Sequence, residues 1–382
     1  MHWITLDTGS IWLKEFAAAL GTMVPTQNWC PEARLFGWRE GRLQVDAVKD
    51  PPLSMIRFPL QRGYGRFPIA QLLPFQKRLV QRMLDRIQEP EESTLVCTSP
   101  FYAPVAELWP GPVVYYLTDL TKEYAGINPK QVVTLDRRMC KVADTVCPNS
   151  RRIADYLCGE AGCEPHKISV IPNATREQNL MQRPAMRPSQ PPADMCDLPR
   201  PIIGVIGNFA TNIDWELLRD AVNRSKDVSW ALIGPTHESI QDKHKRDLRC
   251  ELAGRGGRVR FLGSRQYAQL CNYARAFDAA FIPYANVEPT ISGSATRFYE
   301  HLAACRPILA SRAHAELLTK EPLLKLVDNG AAVATEIERL RSCDFQDGLE
   351  EIRWKASLEG TWRVRARDLV IAAQRRSGAS KN

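Results

Sequence analysis

The stretch Ile202-Ile203-Gly204-Val205-Ile206-Gly207-Asn208 decides how the rest of this chain is read. Five apolar positions run without a polar break, and the chain then turns at Gly207-Asn208. A short unbroken run closed by glycine marks a strand buried on both faces. A helical pattern follows from about Ile213 to Val222. Trp230–Ile233 is the next strand, closed by Gly234-Pro235, and Val259–Leu262 the next, closed by Gly263. A helix over Tyr267–Phe277, a strand over Ala279–Ile282, a loop over Pro283–Gly293, a helix over Ala295–Ala304 and a strand over Pro307–Ala310 complete the series. Strands alternating with helix-length amphipathic stretches predict an α/β domain, a parallel sheet with helices on both faces.

Moving outward, the first half repeats this architecture. Its expected strands are Trp3–Leu6, Thr94–Cys97, Val113–Leu117, Thr145–Cys147 and Ile168–Ile171. Helical patterns lie at Leu13–Leu20, Ile69–Ile87, Pro129–Cys140 and Ser150–Cys158, with Ser150 placed as an N-cap. Between the halves the pattern breaks at Pro184, Pro188, Pro191, Pro192, Pro199 and Pro201. Proline removes a backbone donor and fixes φ, so this polar, aperiodic stretch reads as a linker. The expected domains are 1–175, a linker over 176–200, 201–360, and a C-terminal helix and tail over 361–382 that can cross back to the first domain. A length of 382 residues suits two such cores.

Composition narrows the function classes. Hydrophobic residues make up 44% and charged residues 25%, which excludes disorder and coiled coil as the main architecture. No apolar run reaches the ~18 residues of a spanning helix. The start, Met1-His2-Trp3-Ile4-Thr5-Leu6-Asp7, has neither a basic nor an apolar leader segment, so a cytoplasmic location is expected. A net charge of +8 is mild at this size, and no nucleic-acid partner is expected. One window is lopsided: Arg57, Arg62, Arg66, Lys77, Arg78, Arg82 and Arg86 face Asp85 alone. It reads either as a solvated helix face or as a peripheral contact with an anionic membrane surface. The eleven cysteines are scattered without a close pair and read as reduced thiols. Cys158, Cys163 and His166 lack a fourth ligand, so no metal site is expected, and no resident cofactor.

In open α/β sheets ligands bind beyond the carboxyl ends of the strands. Those ends here are Gly207-Asn208, Gly234-Pro235, Gly263-Ser264-Arg265 and Pro283–Ser294. The most informative stretch is Gly293-Ser294-Ala295-Thr296-Arg297-Phe298-Tyr299-Glu300. Ser294 suits an N-cap, and free amides at a helix start bind phosphate. Glu300, one turn on, could accept two hydroxyl donors from a vicinal diol. On residue types alone, a capped surface helix with an internal Arg297–Glu300 pair is an equal reading.

The ordered set of these motifs resembles the C-terminal domain of GT-B glycosyltransferases, the family 4 type that builds bacterial surface polysaccharides above all. Phe298-Tyr299-Glu300-His301-Leu302-Ala303-Ala304-Cys305-Arg306-Pro307-Ile308 carries it most strongly, and Val114-Tyr115-Tyr116-Leu117-Thr118-Asp119 and Ile171-Pro172-Asn173-Ala174 extend it into the first half. It covers roughly residues 110–310. The resemblance implies two Rossmann-like domains facing a cleft, the second holding a nucleotide-diphosphate sugar. It implies that Glu300 binds ribose, that Gly293, Ser294, Ala295 and Thr296 form the diphosphate-binding helix start, with Arg297 or Arg265 standing in for the cation missing after the first strand of the second domain, and that Gly207, Asn208, Gly234, Ser264 and Arg265 line the donor site. A glycan, lipid-linked or small-molecule acceptor would belong to the first domain. Two departures stand out. Many relatives carry glutamate eight positions before the ribose carboxylate, where this chain has Ser292. Many also carry cations after the first strand of the second domain, where Gly207 to Asn212 supplies none.

Sugar transfer needs the departing nucleoside diphosphate neutralised and, for inversion, a base for the acceptor hydroxyl. Asp119, just beyond the Val113–Leu117 strand, is the expected base, with capping of the next turn as its plainer role. Asp7, after the first strand, is the second candidate. The expected function is metal-independent transfer from a nucleotide sugar. The alternative is a degenerate module that binds nucleotide or glycan, or supports a partner subunit.

Overall fold

Parallel pairing dominates two separate sheets. The structure is a computed structural model that describes residues 2–379 except 8, 35–47, 51–52, 62–77, 79–80, 82–83, 86, 125, 185–186, 211, 236–241 and 289. Most of the basic window and of the helix expected over Ile69–Ile87 lies outside the described residues. The chain divides into two compact units, Met1–Asn173 with Trp362–Asn382, and Ala174–Thr361.

The first unit carries a seven-stranded sheet. Its strands are β1 (Trp3–Leu6), β2 (Thr26–Arg34), β3 (Val48–Asp50), β4 (Leu53–Gln61), β5 (Thr94–Cys97), β6 (Val113–Leu117) and β7 (Thr145–Pro148). They lie in the order β3-β4-β2-β1-β5-β6-β7, and every pair is parallel except β3 with β4. Every residue of β1, β5, β6 and β7 is buried, as expected where helices cover both faces. Ser10 caps the helix Ile11–Gly21 through the Leu13 amide, and Ser150 caps Arg151–Gly159 through the Ile153 amide. Phe16 of the first helix packs on Tyr116 at 4.6 Å and on Trp362 at 6.5 Å. Trp362 opens the C-terminal helix Trp362–Ala379, whose Ala366 and Leu369 are fully buried in this unit. Ile168–Ile171, expected as a strand, forms none. Ser169 and Ile171 donate to the carbonyls of Val146 and Pro148, but only one bridge, Val146 to Ile168, is made.

The second unit carries β8 (Ile202–Ile206), β9 (Ser229–Ile233), β10 (Val259–Gly263), β11 (Ala279–Ile282), β12 (Ile308–Ser311) and β13 (Lys325–Val327). The order is β10-β9-β8-β11-β12-β13, all parallel. Counted within the unit this is 3-2-1-4-5-6, the doubly wound arrangement, whose direction of winding reverses between β8 and β11. Gly204 has no room for a side chain, because a Cβ would stand 2.0 Å from the Phe277 ring. The helix expected over Tyr267–Phe277 is a 3₁₀ turn at Tyr267–Gln269 followed by Leu270–Ala276. The proline-rich residues 176–200 are fastened to this unit. Met195 is fully buried, Arg200 pairs with Asp278 at 2.8 Å, and Arg260 grips both Asp197 oxygens at 2.5 and 2.8 Å. Among the described residues, no helix is long and apolar enough to cross a membrane.

Candidate functional site

The carboxyl ends of β8, β9 and β10 are drawn together by backbone alone. The Gly207 amide donates to the Ile233 carbonyl and the Gly234 amide to the Gly263 carbonyl, both at 3.0 Å. Gly234 has φ 147°, and a Cβ there would lie 1.6 Å from the Gly207 oxygen. Only glycine fits, since that backbone region is closed to side chains and the neighbouring backbone occupies the space. Asn208 and Ser264 are exposed beside this junction. Arg265 is not a free cation. It donates to the Tyr273 hydroxyl at 2.8 Å and to Asp194 at 2.5 Å, so its charge is already compensated.

Across the winding reversal, the loop after β11 leads into the helix Thr296–Ala303. Ser294 does not cap this helix. The N-cap position is Ala295, which has no side chain able to do so, and a distant carboxylate does the work instead. Glu316 accepts from the Ser294 hydroxyl at 2.8 Å, the Ala295 amide at 2.6 Å and the Tyr299 hydroxyl at 2.6 Å, with Lys320 Nζ at 3.5 Å. The Thr296 amide donates to the Ser294 carbonyl at 2.9 Å, and the Arg297 backbone bonds the Tyr284 hydroxyl. The amides of Ala295, Thr296 and Arg297, expected to be open to a diphosphate, are therefore engaged within the protein. A carboxylate sits where the helix dipole favours an anion.

The side chains one turn on are arranged differently. Arg297 Nη1 donates to Glu300 Oε2 at 2.5 Å. Glu300 is 5% exposed, and its other oxygen, Oε1, is buried with no hydrogen-bond partner among the described residues. A buried carboxylate oxygen left without a donor costs on the order of 1–3 kcal/mol, more when charged. His301, next in the chain, is 1% exposed, and burial followed by the nearby Arg297 charge pushes its imidazole down to about 3, so it is neutral.

In the first unit, Asp119 lies just beyond β6. By surface area it is exposed, yet protein atoms crowd it enough to raise its carboxyl to about 6, against hydrogen bonds from Thr118 and Tyr124 that pull the other way. Asp7 lies beyond β1 with φ 67°, and its Oδ2 accepts from the Tyr102 hydroxyl at 2.9 Å. Sequence reasoning overlooked Glu316, Tyr284, His314 and Asp194. Only Glu316 had a local signal, as an acidic residue in the loop beyond the Pro307–Ala310 strand.

No model of a known family matches the chain, and no curated protein matches it by sequence. Solved structures do match. The sucrose-phosphate synthase of Thermosynechococcus elongatus superposes with a TM-score of 0.71 at 16% identity, covering 99% of this chain and 100% of that one. HepE of Anabaena, crystallised with UDP and glucose, gives 0.68 at 16% identity over 97% and 99%. A glycosyltransferase of Rickettsia africae gives 0.71 at 12% identity over 98% of each chain. The fold is thus that of the GT-B glycosyltransferases, two Rossmann-like domains, and these identities carry the likeness no further than the fold.

Proposed function

We propose that this chain transfers a sugar, a hexose, from a nucleotide-diphosphate donor to an acceptor hydroxyl, in the manner of the family 4 enzymes and without a metal ion. The observation that carries this reading is the half-satisfied Glu300. Its Arg297-bound oxygen is fixed, and its other oxygen, buried and without a partner among the described residues, suits a hydroxyl of a pentose diol. The residue stands one turn into a helix beyond the winding reversal of a doubly wound sheet, the region where such ligands bind. Arg297 supplies a positive charge beside Glu300, shared with that carboxylate, toward a departing diphosphate. UDP and UDP-glucose are bound in structures of HepE, a protein of the same fold. The acceptor is a glycan, a lipid-linked sugar or a small molecule, with Asp119 as the base. The work is done in the cytoplasm, with the basic window as a peripheral membrane contact.

The second reading, a nucleotide-binding module without turnover, is favoured by one observation: Arg265 and Arg297 are each paired with a carboxylate of the protein itself. A thermal-shift and calorimetric panel of UDP-, GDP-, dTDP- and ADP-sugars separates the outcomes, since only a ligand of the folded state raises stability. We expect one nucleotide class to bind, product to form, and Glu300→Gln to weaken binding by about tenfold to a hundredfold, the worth of one or two charge-assisted hydrogen bonds. Binding without product in any acceptor extract would favour the module. No binding by the wild-type chain would end both readings.

A further inference from the structure

We infer that Glu316 is a positioning residue that aims Glu300 and Arg297 at the nucleotide; the inference rests on the reading of Glu300 as the diol acceptor. The helix that carries the pair is eight residues long and has no capping side chain of its own. Its Phe298, Tyr299 and Leu302 seat it in an apolar cluster, and its entry is tied from outside. One oxygen of Glu316 binds the Ser294 hydroxyl and the Ala295 amide, at the entry to the helix. The other binds the Tyr299 hydroxyl, one residue before Glu300. A carboxylate that spans the helix entry and its first turn adds to that packing a directional tie on both the entry and the rotation of the turn. Glu300 and Arg297 lie on that same turn.

Glu316 is itself held. It stands in the loop beyond β12, the strand beside β11. Its amide donates to His314 Nδ1 at 3.3 Å, and the His314 ring lies 5.4 Å from the Tyr284 ring. The Tyr284 carbonyl accepts from the Ser311 hydroxyl at 2.8 Å, while its own hydroxyl bonds the Arg297 backbone. Two neighbouring strand ends thereby close a circuit on the helix start. Lys320 Nζ lies 3.5 Å from the same carboxylate.

The test compares Kd for UDP with 2′,3′-dideoxy-UDP, and for GDP with 2′,3′-dideoxy-GDP, in wild type, Glu316→Gln and Glu316→Ala. Wild type should prefer the nucleotide that keeps its diol by about tenfold or more, the worth of a hydrogen bond to a charged group. Glu316→Ala should bring that ratio close to one, although Glu300 is untouched. Glu316→Gln, which keeps the shape and one acceptor oxygen, should retain part of it and serves if the alanine variant does not fold. A variant that melts earlier yet keeps the wild-type ratio would overturn the inference and leave the role of Glu300 standing. A wild-type ratio of one would overturn both.

Discussion

Asp136 in the first unit and Glu300 in the second are both buried acids on helices, and the two carboxylates are served in opposite ways. Asp136 lies on the helix Pro129–Val142 and is 1% exposed. One oxygen accepts from the Tyr115 hydroxyl at 2.6 Å and the other from the Tyr156 hydroxyl at 2.5 Å. Glu300 is 5% exposed, but only one of its oxygens is bonded. The first group is completed by its own fold and fastens a helix pair to β6. The second is left incomplete by the described residues of its unit. Burial alone would have marked both as functional. The unfilled oxygen by itself does not separate them either, since buried Glu350 also has one; what sets Glu300 apart is its place beyond the winding reversal of the sheet.

The largest effect expected from this contrast is a crossed pair of phenotypes. Asp136→Ala leaves two buried tyrosine hydroxyls without an acceptor, at about 1–3 kcal/mol each, and opens a small void. Urea denaturation should show a loss of about 4 kcal/mol, with nucleotide affinity unchanged in the folded fraction. Glu300→Gln should lose affinity and little stability, since the amide keeps an acceptor for Arg297. If Asp136→Ala instead abolished binding and kept stability, the distinction between strut and site would be reversed.

A smaller effect sharpens the same contrast by pH. Burial raises the Asp136 carboxyl to about 6, outweighing the two tyrosine hydrogen bonds that stabilise the anion. Its folded pKa thus lies above the unfolded value of about 3.9. The sign follows: the contribution to stability is complete below about pH 4 and is lost as pH rises through about 6. The stability of wild type relative to Asp136→Asn, taken from denaturant midpoints, should fall by on the order of 1–3 kcal/mol across that window. A difference independent of pH would mean that the carboxyl is not held neutral.

The architecture was legible where residues are buried on both sides. Ile202–Ile206, Ala279–Ile282 and Val113–Leu117 are unbroken apolar runs, and all form strands with those bounds. β2 and β4 went unread because each carries a proline, Pro31 and Pro59, and β2 is rich in polar residues. At the site, Glu300 and Arg297 were legible as a pair three positions apart on one helix. The cap was not: Glu316 lies 21 positions from Ala295, beyond any local pattern, so the nearby Ser294 was credited with its work. Asp136 could have been found. Val132, Asp136 and Met139 share a helical stripe, and an acid on an apolar stripe demands a buried donor.

The smallest effect concerns a third carboxylate, between the other two in character. Asp119 is open to solvent by area, like neither Asp136 nor Glu300, yet its carboxyl is raised to about 6 by the atoms crowding it. A general base must be ionised, and a raised pKa delays ionisation. The rate of sugar transfer should therefore be level above about pH 7, half-maximal near pH 6, and about tenfold lower at about pH 5. In Asp119→Asn the remaining activity should lack this limb, with donor affinity unchanged because the proposed donor residues belong to the other unit. A profile whose acid limb persists in the asparagine variant would assign the proton to another group, and Asp7, with one oxygen bonded by the Tyr102 hydroxyl, would be the next to substitute.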